Sequence, residues 1–201
     1  MTEPHKRYKS MTALLGVMVL LWPQVLPGQQ DFPIPKMQVE WPSSGLSNRD
    51  YGLLTHTIKS AFADCDNGSR DFRFEYALVD LGKLGKGVLV RTLEPCHCGA
   101  TGNCAIHVYV RDSNTYREIP FKEHREPWGW AWGVVKSNSD VPELAFGSNG
   151  GGGCQGLGLY RYSGGVFVVL ANEAVRLKDE AQVPSPADWW DPSAVLVRPS
   201  C

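Results

Sequence analysis

Five residues in the segment 96–111, CHCGATGNCAIHVYVR, belong to the types that do chemistry: Cys96, His97, Cys98, Cys104 and His107. Thiolates and an imidazole suit zinc, but structural zinc sites separate their paired cysteines by about two to four residues, and the CHC spacing here is shorter. A nucleophilic thiolate beside His97 or His107 needs a third group to orient the base, and none stands at a recognisable spacing. What remains is a crosslink. Cys96 and Cys98 are too close in an extended chain to bridge each other without strain. Cys98 and Cys104 flank GATGN, a loop able to bring two strand ends together, so the spacing predicts a Cys98–Cys104 disulfide. Partners for Cys65, Cys96, Cys154 and Cys201 are left open.

A second stretch is WGWAWG, residues 128–133. In a single strand, Trp128, Trp130 and Trp132 project to one face and Gly129, Ala131 and Gly133 to the other. Exposed, the row is an apolar platform for stacking on sugar rings or docking a protein; buried, it is core, where indoles usually lie. The preceding KEHRE carries Glu123, His124 and Glu126, either acid and base groups beside the platform or a charged turn. Glycoside cleavage requires two carboxylates at a set separation in space. Spacing alone does not supply one, so no catalytic residue is assigned.

Two further groupings have a bland reading beside the functional one. DCDNGSRDFRFE, residues 64–75, puts Asp64, Asp66 and Glu75 at the first, third and twelfth places of a calcium loop. Its glycine, Gly68, falls one place early and a strand-like run follows, so a helix-ending Asp-Asn-Gly turn is the better account. In AIHVYVR, Ile106, Val108 and Val110 point one way and His107, Tyr109 and Arg111 the other. The second set is either a polar recognition face or an ordinary solvated sheet face. No metal site and no cofactor is expected.

The elements that must position these residues follow from periodicity. Ser47 and Asp50 have capping-box spacing, and Leu54, Ile58, Ala61 and Phe62 recur on one face, which predicts a short amphipathic helix over 50–63. From Phe72 the period becomes two: Phe72, Phe74, Tyr76 and Leu78 alternate with Arg73, Glu75, Ala77 and Val79, a strand with one face on a core. Further strands are expected over 87–92, 105–111, 115–121, 130–136, 143–147, 157–162 and 166–170. Asp112-Ser113-Asn114 and Ser163-Gly164-Gly165 read as hairpin turns. The fold class is therefore mainly β with one short N-terminal helix, an antiparallel meander sheet or sandwich. Segment 147–162, GSNGGGGCQGLGLYRY, is a looser copy of 96–111, so two repeated hairpin units stand beside two unrelated hairpins as readings.

The chain has 201 residues, a length for one domain with appendages. With 20 basic and 21 acidic residues it has no field to attract nucleic acid or an anionic membrane. His5, Lys6, Arg7 and Lys9 precede an apolar run from Met11 to Trp22, too short to span a bilayer core of about 30 Å, so residues 1–28 are expected to be a signal peptide cleaved near Gly28, with a retained anchor as the alternative. Residues 29–46 are an extended lead-in with little regular structure, 47–175 the mainly-β domain and 176–201 a Pro-rich tail. Export to a secreted or periplasmic location makes disulfides the default for six cysteines.

The CGATGNC loop followed by an alternating strand and a hairpin with Tyr resembles uncharacterised secreted bacterial proteins that carry similar Cys-Gly loops. The resemblance covers roughly residues 87–170 and lies mainly in Cys98, Gly99, Gly102, Asn103 and Cys104. It implies no catalytic residue, since that group has no established activity. The leading expectation is a secreted, disulfide-stabilised binding module for an extracytoplasmic protein or glycan, with Trp128, Trp130, Trp132, His107, Tyr109 and Arg111 as candidate contacts. A secreted hydrolase of polysaccharide or cell wall and a structural envelope protein are the alternatives.

Overall fold

The computed structural model describes residues 36–62, 72–122, 126–151 and 154–176. Within them, helix α1 (Asn48–Ala61) precedes β1 (Phe74–Asp80), β2 (Lys86–Thr92), β3 (Cys104–Asp112), β4 (Thr115–Glu118), β5 (Trp128–Gly129), β6 (Ala131–Val135), β7 (Glu143–Gly151), β8 (Cys154–Ser163) and β9 (Val166–Arg176). The strands form two antiparallel meanders. One runs β1-β2-β3-β4 with β5 also paired to β3, and the other runs β6-β7-β8-β9. The protein is mainly β, as the alternation predicted.

The helix begins two residues earlier than its apolar period suggested, because its cap is Ser47. The Ser47 Oγ accepts from the Asp50 backbone N–H at 3.1 Å and donates to Asp50 Oδ2 at 2.8 Å, which satisfies a first-turn donor and makes Asn48 the first helical residue. Its buried stripe, Leu54 and Ile58, packs with Tyr76, Val88, Val90, Tyr109 and Tyr116. These side chains come from one face of the first sheet. The opposite face supplies Ala77, Val79, Leu89, Ile106, Val108 and Val110 to a second core, which Leu144, Phe146 and Phe167 close from the other sheet. The first sheet is thus a middle layer, between α1 and the second sheet. The one-faced strand expected over 72–79 is corrected accordingly: Tyr76 is buried beneath α1 while Ala77 and Val79 are buried between the sheets.

Both predicted hairpins form. Asp112 pairs with Thr115 around Ser113 and Asn114, with Ser113 at φ +50°. Ser163 pairs with Val166 around Gly164 and Gly165, at φ +60° and +94°, the left-handed pair that matches the twist of a two-residue hairpin. The two look-alike segments fall in opposite sheets, Cys104 opening β3 and Cys154 opening β8. In β9 the register shifts where Leu159 pairs with Ala171 and Tyr160 with Val169. Leu170 is the extra residue of that bulge, which is why Val169 and Leu170, adjacent in sequence, are both exposed.

The tryptophan segment is not one strand. Trp128 and Gly129 pair with Ala105 and Cys104 in the first sheet, whereas Ala131 and Trp132 pair with Gly147 and Phe146 in the second. The chain changes sheets at Trp130, whose N–H donates to Gly147 O at 2.9 Å. Glycine makes that crossing possible: a Cβ at Gly129 would sit 2.6 Å from the Gly147 carbonyl oxygen. The expected row of three indoles on one face is therefore broken at its centre.

Truncating Ile58 to alanine removes the fully buried anchor of α1 and is expected to lower unfolding stability by about 2–5 kcal/mol, measured by urea denaturation. A loss below about 1 kcal/mol would show that α1 does not depend on this docking.

Candidate ligand-binding site

Each indole of WGWAWG has a different environment. Trp128 is 45% exposed, and its ring lies over Gly99 of the cysteine loop, within about 4 Å of where a Cβ would stand. Trp130 occupies the crossing. Its carbonyl accepts from Trp41 Nε1 at 3.0 Å and from Arg91 Nη1 at 3.2 Å. Arg91 also lies 5.2 Å from the centroid of the Trp41 ring and forms an ion pair with Glu75. Glu75, the twelfth place of the calcium-loop frame, is thus held by a guanidinium; the segment 63–71 lies outside the described residues.

Trp132 is the residue around which an open site exists. The lead-in chain runs antiparallel to it: Gln38 N–H donates to Trp132 O at 2.6 Å and Trp132 N–H to Gln38 O at 2.9 Å. The indole Nε1 donates to Glu40 O at 3.1 Å, and the ring tilts against Trp41 with centroids 6.1 Å apart. Beside it lies a cleft of about 400 Å³ lined by Lys36, Gln38, Glu40, Pro42, Trp132 and Val134. Four of these six come from the lead-in, for which little regular structure was expected. The signal was present in KMQVEW: Lys36, Gln38 and Glu40 alternate with Met37, Val39 and Trp41, a period of two. Met37 and Trp41 are buried, while Lys36, Gln38 and Glu40 are exposed.

The cysteine loop is a structural staple. Cys98 and Cys104 are disulfide-bonded with Cα atoms 4.0 Å apart, as the spacing predicted. Inside the loop Gly99 N–H donates to Asn103 O at 2.7 Å, and Gly102, at φ +77°, donates to Gly99 O at 3.0 Å. The loop presents Asn103 to the other sheet: its Nδ2 donates to Asn149 O at 2.8 Å and its Oδ1 accepts from Asn149 N–H at 2.7 Å. Cys96 is also disulfide-bonded. Cys65 and Cys201 lie outside the described residues. Among the described residues no three His, Cys, Asp or Glu side chains converge as metal ligands.

Of the set His107, Tyr109 and Arg111, α1 covers the first two, which therefore do not form a solvated sheet face, while Arg111 stays partly exposed beside the helix. His107 is 3% exposed and Tyr109 fully buried. His107 Nδ1 lies 2.9 Å from Glu118 Oε1. A carboxylate accepts, so Nδ1 donates this bond, and Nε2 is buried with no hydrogen-bond partner among the described residues. Phe62, at the end of α1, meets His107 and His97 edge-on at 4.7 and 4.6 Å. Arg111 forms an ion pair with Asp50 of α1 and lies 5.6 Å from the centre of the Tyr116 ring, so it fastens the helix. Burial, with the charges of Glu118 and Glu126, pushes the Tyr109 phenol far up. Burial, then the neighbouring His107, hold His97 below the ordinary imidazole range against the opposing pull of Glu126 and Glu94. Glu123 and His124 lie outside the described residues.

The fold and its open cleft define a disulfide-stapled β-sandwich with a helix packed on one sheet. Comparison with family models, characterised proteins and solved structures finds no match to this chain. Among the described residues no helix is long and apolar enough to cross a membrane.

Two outcomes follow from this geometry. Asn103→Ala removes both bonds to the Asn149 peptide and is expected to cost about 1–3 kcal/mol, and the Cys98→Ser/Cys104→Ser pair about 2 kcal/mol for so short a loop. Denaturation curves that overlay the wild type would show that the clamp does not hold the sheets. For His97, the folded-state pKa lies below the unfolded one. Its stabilising contribution is complete above about pH 6.5 and is lost as pH falls below that. The urea midpoint should therefore drop less in His97→Gln than in the wild type between about pH 7 and pH 5; an equal drop in both proteins would assign the pH dependence to other groups.

Proposed function

We propose that this chain is an extracytoplasmic binding module, secreted or periplasmic, that holds a protein or glycan ligand and performs no chemistry on it. The cleft beside Trp132 carries the reading. Its volume falls within the range of ligand sites, about 300–1,000 Å³, and its lining combines an indole, a proline and a valine with a lysine, an amide and a carboxylate. Several groups that sequence marked as candidates are already engaged: Cys98 and Cys104 in a disulfide, His107 with Glu118, and Glu75 with Arg91. Export is supported by the basic and apolar pattern of residues 1–28 and by the disulfide.

A polysaccharide hydrolase needs a pair of carboxylates at the bond to be cut. Among the described residues lining the cleft, Glu40 is the single carboxylate. Binding without turnover is therefore the better account.

The direct test fills the cleft. Val134→Arg places a long side chain at an exposed lining position. A ligand found by thermal shift across oligosaccharides, peptides and amino acids should raise the melting temperature of the wild type and not of Val134→Arg. An unchanged shift in the variant would remove the cleft from the reading, and conversion of the ligand to product would make the protein an enzyme.

A further inference from the structure

We infer that the cleft formed by the lead-in segment and β6 takes a neutral sugar ring, as part of an oligosaccharide, stacked on Trp132 and Pro42. This rests on the binding-module reading and names the ligand class of its site. Three observations lead to it. The first is the floor. Trp132 is fixed from two sides, by its Nε1 bond to Glu40 O and by its tilted packing on Trp41, so the indole surface lining the cleft is held ready before any ligand arrives. A π face carries negative potential and attracts weakly positive C–H groups, which a pyranose presents on its flat side. An aromatic already locked in place loses little rotamer freedom on binding.

The second observation is the rim. Lys36, Gln38 and Glu40 reach the cleft from alternate positions of one extended segment. Lysine contributes donors only, an ionised glutamate acceptors only, and the glutamine amide both. A row of hydroxyls, each able to donate and accept, matches that mixture. A ligand of fixed charge does not, since the single lysine and single glutamate in the lining cancel, leaving no focused potential for an anion or a cation.

The third observation concerns the competing occupant, an extended peptide. Strand addition requires unpaired backbone N–H and C=O groups on a sheet edge. Here Trp132 of β6 is already paired with Gln38 through both groups, so a peptide strand cannot add to β6 at this point. An open, shallow cleft with an aromatic floor and a polar side-chain rim suits a ring that enters sideways along a chain.

The experiment is titration calorimetry of the purified full chain against neutral oligosaccharides, matched uronic-acid oligosaccharides, and extended peptides. The variants are Trp132→Ala, Gln38→Ala and Glu40→Ala, with Lys83→Ala, which lies outside the cleft, as control. The expected result is saturable binding of a neutral oligosaccharide that weakens about tenfold or more in each cleft variant and is unchanged in Lys83→Ala. Gln38→Ala and Glu40→Ala keep the backbone bonds at those positions, so they remain informative where Trp132→Ala fails to fold. Binding of a peptide or an acidic sugar at the cleft, lost in the same variants, would overturn the neutral-sugar assignment while keeping the binding module. Glycan binding that survives all three cleft variants would overturn the site. Absence of binding to all three classes would overturn the sugar assignment and remove the support for the module reading.

Discussion

The peptide of Trp130 is where the two sheets are joined into one domain. Its N–H donates to Gly147 O, and its C=O accepts from Trp41 Nε1 and Arg91 Nη1. A buried backbone carbonyl must find partners, and here the partners come from the lead-in strand and from β2. The bonds therefore fix three things together: where the chain leaves the first sheet, where the lead-in lies across the second, and where Arg91 stands above the Trp41 ring. Trp132, two residues on, takes its position from that crossing. The cleft is a consequence of how the sheets are linked and not an added loop.

A second tie stands close by and works differently. Asn103 offers its side-chain amide to Asn149 in the manner of a neighbouring strand, one donor and one acceptor to one residue's backbone. A side chain makes such a bond well only if its own backbone is held, and the Cys98–Cys104 bridge with the Gly99–Asn103 hydrogen bond holds it. The disulfide does more than restrict the unfolded chain. It keeps Asn103 at the distance where an amide can bond across two sheets, next to the edge that β5 occupies.

How much was legible in the sequence depended on whether a signal was local. The cap at Ser47, the hairpin turns and the Cys98–Cys104 loop are decided by neighbours within about ten residues, and all three were readable. The Trp corner was not, because WGWAWG alternates perfectly and nothing in the segment itself announces a change of sheet. Its cause is the approach of Gly147, distant in sequence, to Gly129. The covering of His107 and Tyr109 was missed for a related reason: a strand with polar groups on alternate positions reads as solvated on that side until it is known that a helix lies there. Here the helix brings Leu54, Ile58 and Phe62 to that face. KMQVEW had a readable period, but the flanking Pro33, Pro35 and Pro42 and its place after the expected export signal suggested an irregular lead-in.

The molecule is consequently uneven in a way that bears on function. One side of the first sheet carries polar atoms sealed under aromatic rings: His107 Nε2 and the Tyr109 hydroxyl are buried without partners among the described residues, each a cost that packing must offset. Such a layer specifies how α1 docks. On the second sheet the polar side chains at the β6 edge stay in water while the Gln38 backbone is paired and the neighbouring indole is fixed. Trp41 packs on the Trp132 ring while Lys36, Gln38 and Glu40 stay exposed, which gives that edge a fixed apolar floor under polar side chains, the combination on which the proposed binding of a part-apolar, hydroxylated ligand rests. The sealed face fixes the helix on the scaffold, and the cleft at the other sheet stays open to solvent.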